Sequence, residues 1–202
     1  MSLQFLITSL IVVSAPGAGV LITLAAGLAH GRRASLVAAF GCTLGILPHM
    51  LAAITGLAAL LHASSIAFQT LKYVGAAYLL YMAWMALKDQ GALHVHADAA
   101  PRSAWEIIRH AVLVNAFNPK LSIFFLAFLP QFIGADAADP TVVMLEQSAV
   151  FMAMTLGVFA IYGVCAATLR DRVLSRPAVL KWMRGGFAAV FLGLGLKLAS
   201  GN

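Results

Sequence analysis

Asn115-Ala116-Phe117-Asn118-Pro119-Lys120 interrupts an otherwise apolar segment of this chain, and Ser14-Ala15-Pro16-Gly17-Ala18-Gly19 interrupts another. A proline has no N–H to donate, so a helix that contains one leaves the carbonyl four residues earlier without its usual partner. Inside a bilayer an unpaired backbone group is costly unless it is buried in protein or lines a cavity. The two interruptions therefore predict helices that are broken around a solute site in a membrane.

The composition supports a membrane protein. Of the 202 residues, 62% are hydrophobic and only 10% are charged, whereas an average soluble domain has about 25% charged residues. The start, Met1-Ser2-Leu3-Gln4, has no basic residue, so we expect the first apolar segment to be retained rather than cleaved as a signal peptide. The formal charge of +6 is better explained by basic cytoplasmic loops than by a nucleic-acid partner.

Hydropathy predicts six transmembrane helices, at 3–29, 36–61, 67–87, 106–133, 142–168 and 180–199. The fold class is then an all-α integral membrane protein, with helices one and four broken at Pro16 and Pro119. Basic residues concentrate in the first, third and fifth loops, where Arg32 and Arg33 stand in the first. The positive-inside rule places these loops in the cytoplasm and both termini outside.

The two halves of the chain repeat a pattern. Leu71-Lys72 begins helix three and Leu180-Lys181 begins helix six, and each pair is followed at the same spacing by a second pair, Leu87-Lys88 or Leu196-Lys197. Because each half has three helices, the second half lies inverted, as in many secondary transporters. We therefore divide the chain into a first repeat at 1–89, a cytoplasmic linker at 90–103 and a second repeat at 104–202.

The first break offers mainly backbone groups to a solute. Pro16 frees the carbonyl of Val12, while Gly17 and Gly19 lower the cost of unwinding and let a solute approach the backbone. The half-helix after Pro16 presents unpaired N–H groups and a positive dipole end, which suit a carboxylate. The alternative is a simple proline kink.

The second break adds side-chain chemistry. Pro119 frees the carbonyl of Asn115, and Asn118 adds a side-chain amide. Lys120 is an ionisable residue in an apolar segment, and such a residue is by default a candidate functional residue. The alternative is that Lys120 snorkels to the interface. Together the two breaks could bind a zwitterion, its carboxylate facing the helix ends and Lys120 and its ammonium facing freed carbonyls and amide oxygens.

Several segments along the whole chain share one family's pattern. They are Pro16-Gly17, Gly31-Arg32-Arg33, the pair Gly41 and Gly45, Gly56-Leu57, Leu71-Lys72-Tyr73 with Gly75 and Tyr78-Leu79, Asn118-Pro119-Lys120, and Phe128-Leu129-Pro130-Gln131-Phe132. In these the chain resembles the LysE/RhtB family of amino-acid exporters, the LysE-type translocators. The resemblance implies a six-helix exporter of the bacterial inner membrane, not an enzyme, that removes amino acids or related metabolites from the cytoplasm.

Two departures from that family bear on the substrate and its coupling. The family usually reads Pro-Gly-Pro where Pro16-Gly17-Ala18 stands, and many members carry an acidic residue where this chain has Ile46. Without that anion a neutral amino acid is favoured over a cationic one. His49 is the best candidate for a proton relay because histidine titrates near neutral pH, with a packed histidine as the alternative. Tyr78 is a candidate for lining the pathway or for anchoring a helix at the interface.

Other function classes have weaker support. A metal-cation efflux carrier of the same fold would need carboxylates or thiolates clustered in the membrane, and the sequence lacks them. A membrane thiol–disulfide relay would use Cys42 and Cys165, although membrane cysteines usually serve as small apolar packing. His94 and His96 could bind a metal or belong to a solvated linker. We expect no metal and no cofactor, and a homodimer stays open, because Gly41 and Gly45 permit close helix contact within or between chains.

Overall fold

The computed structural model describes residues 1–15, 17–62, 65–88, 103–134 and 137–168, together with single or paired helical positions between 185 and 199. Pro16, His94 and His96 lie outside the described residues, as does almost all of the predicted linker at 90–103. The regular elements of the described part are helical, which agrees with the predicted all-α class.

Seven α-helices are described. They are α1 (Leu3–Ser14), α2 (Ala18–Leu44), α3 (Leu47–His62), α4 (Ser65–Lys88), α5 (Ala104–Ala116), α6 (Pro119–Ile123) and α7 (Pro140–Thr168). After α6 the chain continues as a π-helical turn, Phe124–Phe128, and a 3-10 turn, Leu129–Phe132. The helices predicted at 67–87 and 142–168 correspond to α4 and α7, and the described positions from 185 onward are helical, as predicted at 180–199.

Both predicted breaks are present. Helix α1 ends at Ser14 and α2 begins at Ala18, with Gly17 extended at the N-cap. Helix α5 ends at Ala116 and the chain resumes at Pro119 with a bend of 49°. Asn118 caps α6 by accepting a hydrogen bond from the N–H of Lys120 at 3.1 Å. Pro119 is tolerated at the first helical position because that N–H has no partner inside the helix.

The predictions for the second helix were wrong in two places. Arg32 and Arg33 are helical rather than in a loop. The chain is only kinked here, at Gly31, with φ 82° and ψ −173°, a conformation that only glycine adopts readily. The helix predicted at 36–61 is interrupted at Gly45-Ile46, where the N–H of Ile46 bonds to the carbonyl of Thr43 at 3.1 Å. Pro48 explains part of this break, because it has no N–H for the carbonyl of Leu44.

The described surface is apolar and the described interior holds polar groups. Leu3, Ile7 and Leu10 form an exposed face of α1, whereas Thr8 and Ser9 of the same helix are buried. The other buried polar residues are Thr23, Ser35, Thr43, His49, Asn115, Asn118, Lys120, Gln147, Ser148 and Thr155. Exposed apolar side chains together with buried polar groups fit a surface that faces lipid, because polar groups inside a membrane face the bundle interior.

Two described stretches, Ala18–Gly56 and Pro140–Thr168, are long and apolar enough to cross a membrane. The bent pair Ala104–Ala116 and Pro119–Phe132 makes a third if it acts as one span. The prediction of six spans in two inverted repeats stays a prediction.

Helix α2 packs along both α5 and α7. Glycines permit this close approach: a Cβ added to Gly41 would lie 2.9 Å from the Cβ of Ala111, and one added to Gly45 would lie 2.8 Å from the Cβ of Asn115. The helix contact that Gly41 and Gly45 permit is therefore made within the chain, against α5.

Candidate functional site

The three helix interruptions lie together in the interior. The first break lies between Ala15 and Gly17, the second is Phe117-Asn118, and the third is Gly45-Ile46. Each interruption has at least one backbone carbonyl that contacts a side chain from another segment of the chain.

Lys120 joins the second break to the first. Its Nζ donates to the carbonyl of Val12 at 3.0 Å and to the carbonyl of Ala15 at 2.8 Å, and the side chain is only 4% exposed. The Val12 carbonyl is the group that the sequence predicted to be freed by Pro16. Lys120 therefore does not snorkel to the interface in this structure; it places a positive charge at the C-terminal end of α1, where the helix dipole is negative.

Asn115 joins the second break to the third. Its side-chain Nδ2 donates to the carbonyl of Cys42 at 2.6 Å, and its Oδ1 accepts from Nδ2 of Asn118 at 3.0 Å. The Cys42 carbonyl is available because the N–H of Ile46, its normal partner, bonds instead to Thr43. Both asparagine side chains of the predicted site are thus engaged within the protein.

His49 bonds to the carbonyl that Pro119 frees. Its Nε2 lies 2.9 Å from the carbonyl oxygen of Asn115, and its Nδ1 lies 3.1 Å from Oγ of Ser122. A carbonyl only accepts, so Nε2 carries the hydrogen. In a neutral ring Nδ1 therefore accepts from Ser122, and in a protonated ring Nδ1 donates to it.

The start of α2 lies against the same groups. A Cβ added to Gly17 would lie 3.2 Å from both Cε and Nζ of Lys120, and one added to Gly19 would lie 2.8 Å from Oδ1 of Asn115. Gly17 gives α2 no side-chain cap, and the first N–H groups of a helix have no acceptor inside it. A cation and a positive helix end thus converge on one point.

A cavity opens between these groups and α7. It is lined by Val12, Val13, Asn115, Asn118, Lys120, Leu121, Phe151, Thr155 and Phe159. The centre of a water molecule can move through only about 10 Å³ of it, which is room for about one water molecule. Because small-molecule pockets measure about 300–1,000 Å³, this cavity admits a solute larger than water only if the helices move apart.

Helix α7 supplies residues that the sequence predictions missed. Phe151, Thr155 and Phe159 recur every four residues and line the cavity from one side. Residues four positions apart lie on one face of a helix, so this spacing, with one hydroxyl between two aromatic rings, could have identified them from the sequence. Tyr162, one turn further on, donates its hydroxyl to the carbonyl of Ser14 at 3.0 Å, so α7 also caps the end of α1.

Two of the predicted site residues are not among these contacts. Tyr78 is half-buried on α4 and stacks near Tyr81, with 5.9 Å between the ring centroids. Pro119 is exposed, and its lack of an N–H removes the helical partner of the Asn115 carbonyl. That carbonyl bonds instead to the N–H of Asn118 at 3.1 Å and to His49. Gly17, Gly19, Asn115, Asn118 and Lys120 are brought together, with His49 attached through the Asn115 carbonyl.

The residues of the alternative functions are dispersed. Cys42 is buried with Sγ 3.6 Å from the carbonyl of Gly19, whereas Cys165 is exposed, and both are free thiols. Within the described ranges, no three side chains of His, Cys, Asp or Glu come together as a metal site.

Comparisons with known proteins give a consistent result. The family model of the LysE type translocators matches residues 10–202. An uncharacterized membrane protein of Vibrio cholerae is 33% identical over 98% of this chain and 96% of its own length. A homoserine/homoserine lactone efflux protein of Salmonella typhi is 31% identical over 97% of this chain and 94% of its own.

More distantly, a leucine efflux protein of Klebsiella pneumoniae is 26% identical over 98% of this chain and 94% of its own. No solved structure matches the chain. The matches extend across both breaks and confirm the resemblance inferred from the sequence: this chain belongs to the family of LysE type translocators, and it is a transporter rather than an enzyme.

Proposed function

We propose that this chain exports a neutral amino acid, or a close derivative of one, across the bacterial cytoplasmic membrane by alternating access. The proposed architecture is six transmembrane helices in two inverted repeats, 1–89 and 104–202, with a cytoplasmic linker at 90–103 and both termini outside. The efflux proteins of homoserine and of leucine among its relatives support the direction and the substrate class.

The observation that carries the proposal is the buried ammonium of Lys120 between two broken helices. The described carboxylates, Glu106, Asp139 and Glu146, are all exposed, and no ion pair joins Lys120 to any of them. A buried charge without a counter-ion is costly. A substrate carboxylate at Lys120 and the open start of α2 would supply the missing negative charge.

The same charge favours neutral over cationic substrates. An amino acid with a positively charged side chain brings a second cation into a low-dielectric site that already holds Lys120, and like charges there repel strongly. Ile46, where many family members have an acid, is fully buried and brings no compensating charge. A zwitterion adds no net charge and matches the groups present.

His49 is proposed as the coupling group. It contacts the freed carbonyl of the second break, and gaining a proton would reverse its hydrogen bond with Ser122. Binding or release of one proton thus changes contacts between α3 and the broken helix. Tyr78 is proposed to line the pathway on α4, away from the breaks.

The test is efflux from proteoliposomes loaded with labelled homoserine, threonine, leucine or lysine. We expect the wild-type protein to release at least one neutral amino acid faster than protein-free liposomes, and lysine no faster. Lys120→Ala should lose this activity. Lys88→Ala is the matched control, because Lys88 is exposed and lies over the ring of Trp84, 4.6 Å from its centroid.

If none of the amino acids leaves faster than from protein-free liposomes, the proposed function is wrong. If Lys120→Ala releases the substrate at the wild-type rate, the assignment of Lys120 to the site is wrong although the exporter stands.

A further inference from the structure

We propose that the Lys120 ammonium is a tethered stand-in for the ammonium group of the substrate. It occupies the ammonium subsite formed by the carbonyls of Val12 and Ala15, and a zwitterion displaces it from there onto the substrate's own carboxylate. This inference rests on the proposed function and goes beyond it by naming the two carbonyls that form the ammonium subsite and the step in which the substrate displaces Lys120 from them.

The geometry of the subsite is that of an ammonium site. Two carbonyl oxygens of α1 converge on one nitrogen at 3.0 and 2.8 Å. The Val12 carbonyl has no helical N–H to return to, because the residue four positions later is Pro16. The two carbonyls can therefore bind an ammonium group whether it belongs to Lys120 or to a substrate.

Lys120 is able to leave this subsite. An ammonium has three donors on a flexible four-carbon stem, and Val12 and Ala15 take two of them among the described residues. Gly17 lies beside the stem, and even a single added methyl there would come within 3.2 Å of Cε and Nζ. Because Gly17 has no side chain, the end of the lysine can swing toward the start of α2.

The displaced position places Nζ where a carboxylate is expected. Val12, Asn118 and Lys120 line one cavity, so a substrate ammonium at the Val12 carbonyl shares that cavity with the end of the lysine. The substrate's carboxylate then pairs with the released Lys120, and charge-assisted hydrogen bonds of this kind are about twice as strong as neutral ones. When the substrate binds, its ammonium takes the two carbonyls and the Lys120 ammonium takes the substrate carboxylate, so neither buried ammonium is left without an acceptor.

This exchange predicts which substrates the site rejects. An amino-acid amide has the ammonium that displaces Lys120 but no carboxylate to receive it, so the displaced charge stays unpaired. An N-acetyl amino acid has the carboxylate but no ammonium for the vacated carbonyls. A molecule with both groups is favoured over either analogue.

The experiment measures the affinity of the purified protein for a transported amino acid and for its α-amide, by isothermal titration calorimetry in detergent micelles, so that it does not depend on transport. In the wild type the amino acid should bind more tightly than the amide. In Lys120→Met the subsite is open to both and the carboxylate has lost its partner. The ratio of the two affinities should therefore fall by roughly tenfold to a hundredfold, the value of one hydrogen bond to a charged group.

Two further variants separate this role from a structural one. Tyr162→Phe removes a neutral hydrogen bond from the same end of α1 and should leave the ratio unchanged. Gly17→Ala keeps the charge of Lys120 but places a methyl 3.2 Å from Cε and Nζ, in the space through which the end of the lysine swings, so both compounds should bind about twofold to tenfold more weakly. An unchanged affinity in Gly17→Ala would count against the exchange even if Lys120→Met proved too unstable to assay.

The outcomes also separate this inference from the proposed function. If the wild type carries an amino acid and Lys120→Met weakens amino acid and amide by the same factor, Lys120 is not a stand-in although the exporter remains. If the wild type carries no amino acid, the proposed function itself fails.

Discussion

Replacing Asn115 by alanine should destabilise the fold, because Asn115 links the second break to the third. The substitution removes the hydrogen bond from Nδ2 to the Cys42 carbonyl and the bond that Oδ1 accepts from Asn118. Cys42 and Asn118 are buried, so both of their groups are left without a partner away from water. At about 1–2 kcal/mol for each stranded group in a membrane protein, the expected loss is about 2–4 kcal/mol.

Unfolding of the purified protein in mixed micelles with increasing denaturing detergent measures this loss. Phe117→Ala is the matched control, since its ring is 82% exposed at the same break and its truncation should change the unfolding free energy by less than about 0.5 kcal/mol. In a double-mutant cycle with Asn118→Ala, the shared hydrogen bond should appear as a coupling of about 0.5–1.7 kcal/mol. A cost for Asn115→Ala no larger than that of Phe117→Ala, or a coupling of zero, would refute the network.

Three further predictions use the same assays. Gly163→Ala should lower the free energy of unfolding by about 1–3 kcal/mol, because the added methyl overlaps the Ser35 side chain. Gly157→Ala on the same helix is the control: its methyl meets nothing within 4 Å, so it should be neutral or stabilising. Equal effects of the two substitutions would contradict the packing of α7 on α2. His49→Phe should abolish the response of efflux to an imposed proton gradient. Ser122→Ala keeps the bond from Nε2 of His49 to the Asn115 carbonyl and should retain a response. An unchanged response in His49→Phe would exclude His49 as a proton relay. Replacing Cys42 and Cys165 together by alanine should leave efflux intact, and its loss would revive the thiol relay.

The sequence predicted the places where helices break, because proline acts locally. A missing N–H affects one carbonyl four residues away, and that consequence depends on no other part of the chain. The freed carbonyls of Val12 and Asn115 follow from this rule, and both have side-chain partners in the structure, Lys120 and His49.

The partners could not be predicted, because each bond joins residues far apart in the sequence. Lys120 reaches Val12 across 108 positions, and Asn115 reaches Cys42 across 73. Which side chain meets which carbonyl depends on how the helices pack, and hydropathy does not contain that information. The third break could have been predicted, because Gly45 and Pro48 mark it in the sequence. The continuous apolar run led instead to the prediction of one uninterrupted helix.

The kink at Gly31 was missed for a different reason. Two adjacent arginines suggested a loop, yet a single glycine with positive φ kinks the helix without any loop residues. The predicted loop between helices one and two is therefore a kink inside α2 in the structure.

The exchange of partners among the three breaks has a consequence for movement. The Val12 carbonyl depends on Lys120, the Asn115 carbonyl on His49, and the Cys42 carbonyl on Asn115. Moving α1 away from α6, as the cavity requires before it can admit a solute, strands a buried ammonium together with two carbonyls. The other two links are neutral, and a neutral bond lost in a membrane costs about 1 kcal/mol, whereas stranding a charge costs several. Under the proposed alternating access, the Lys120 link therefore sets the barrier to opening, and the proposed zwitterionic substrate lowers that barrier because it replaces each of the contacts that the movement breaks.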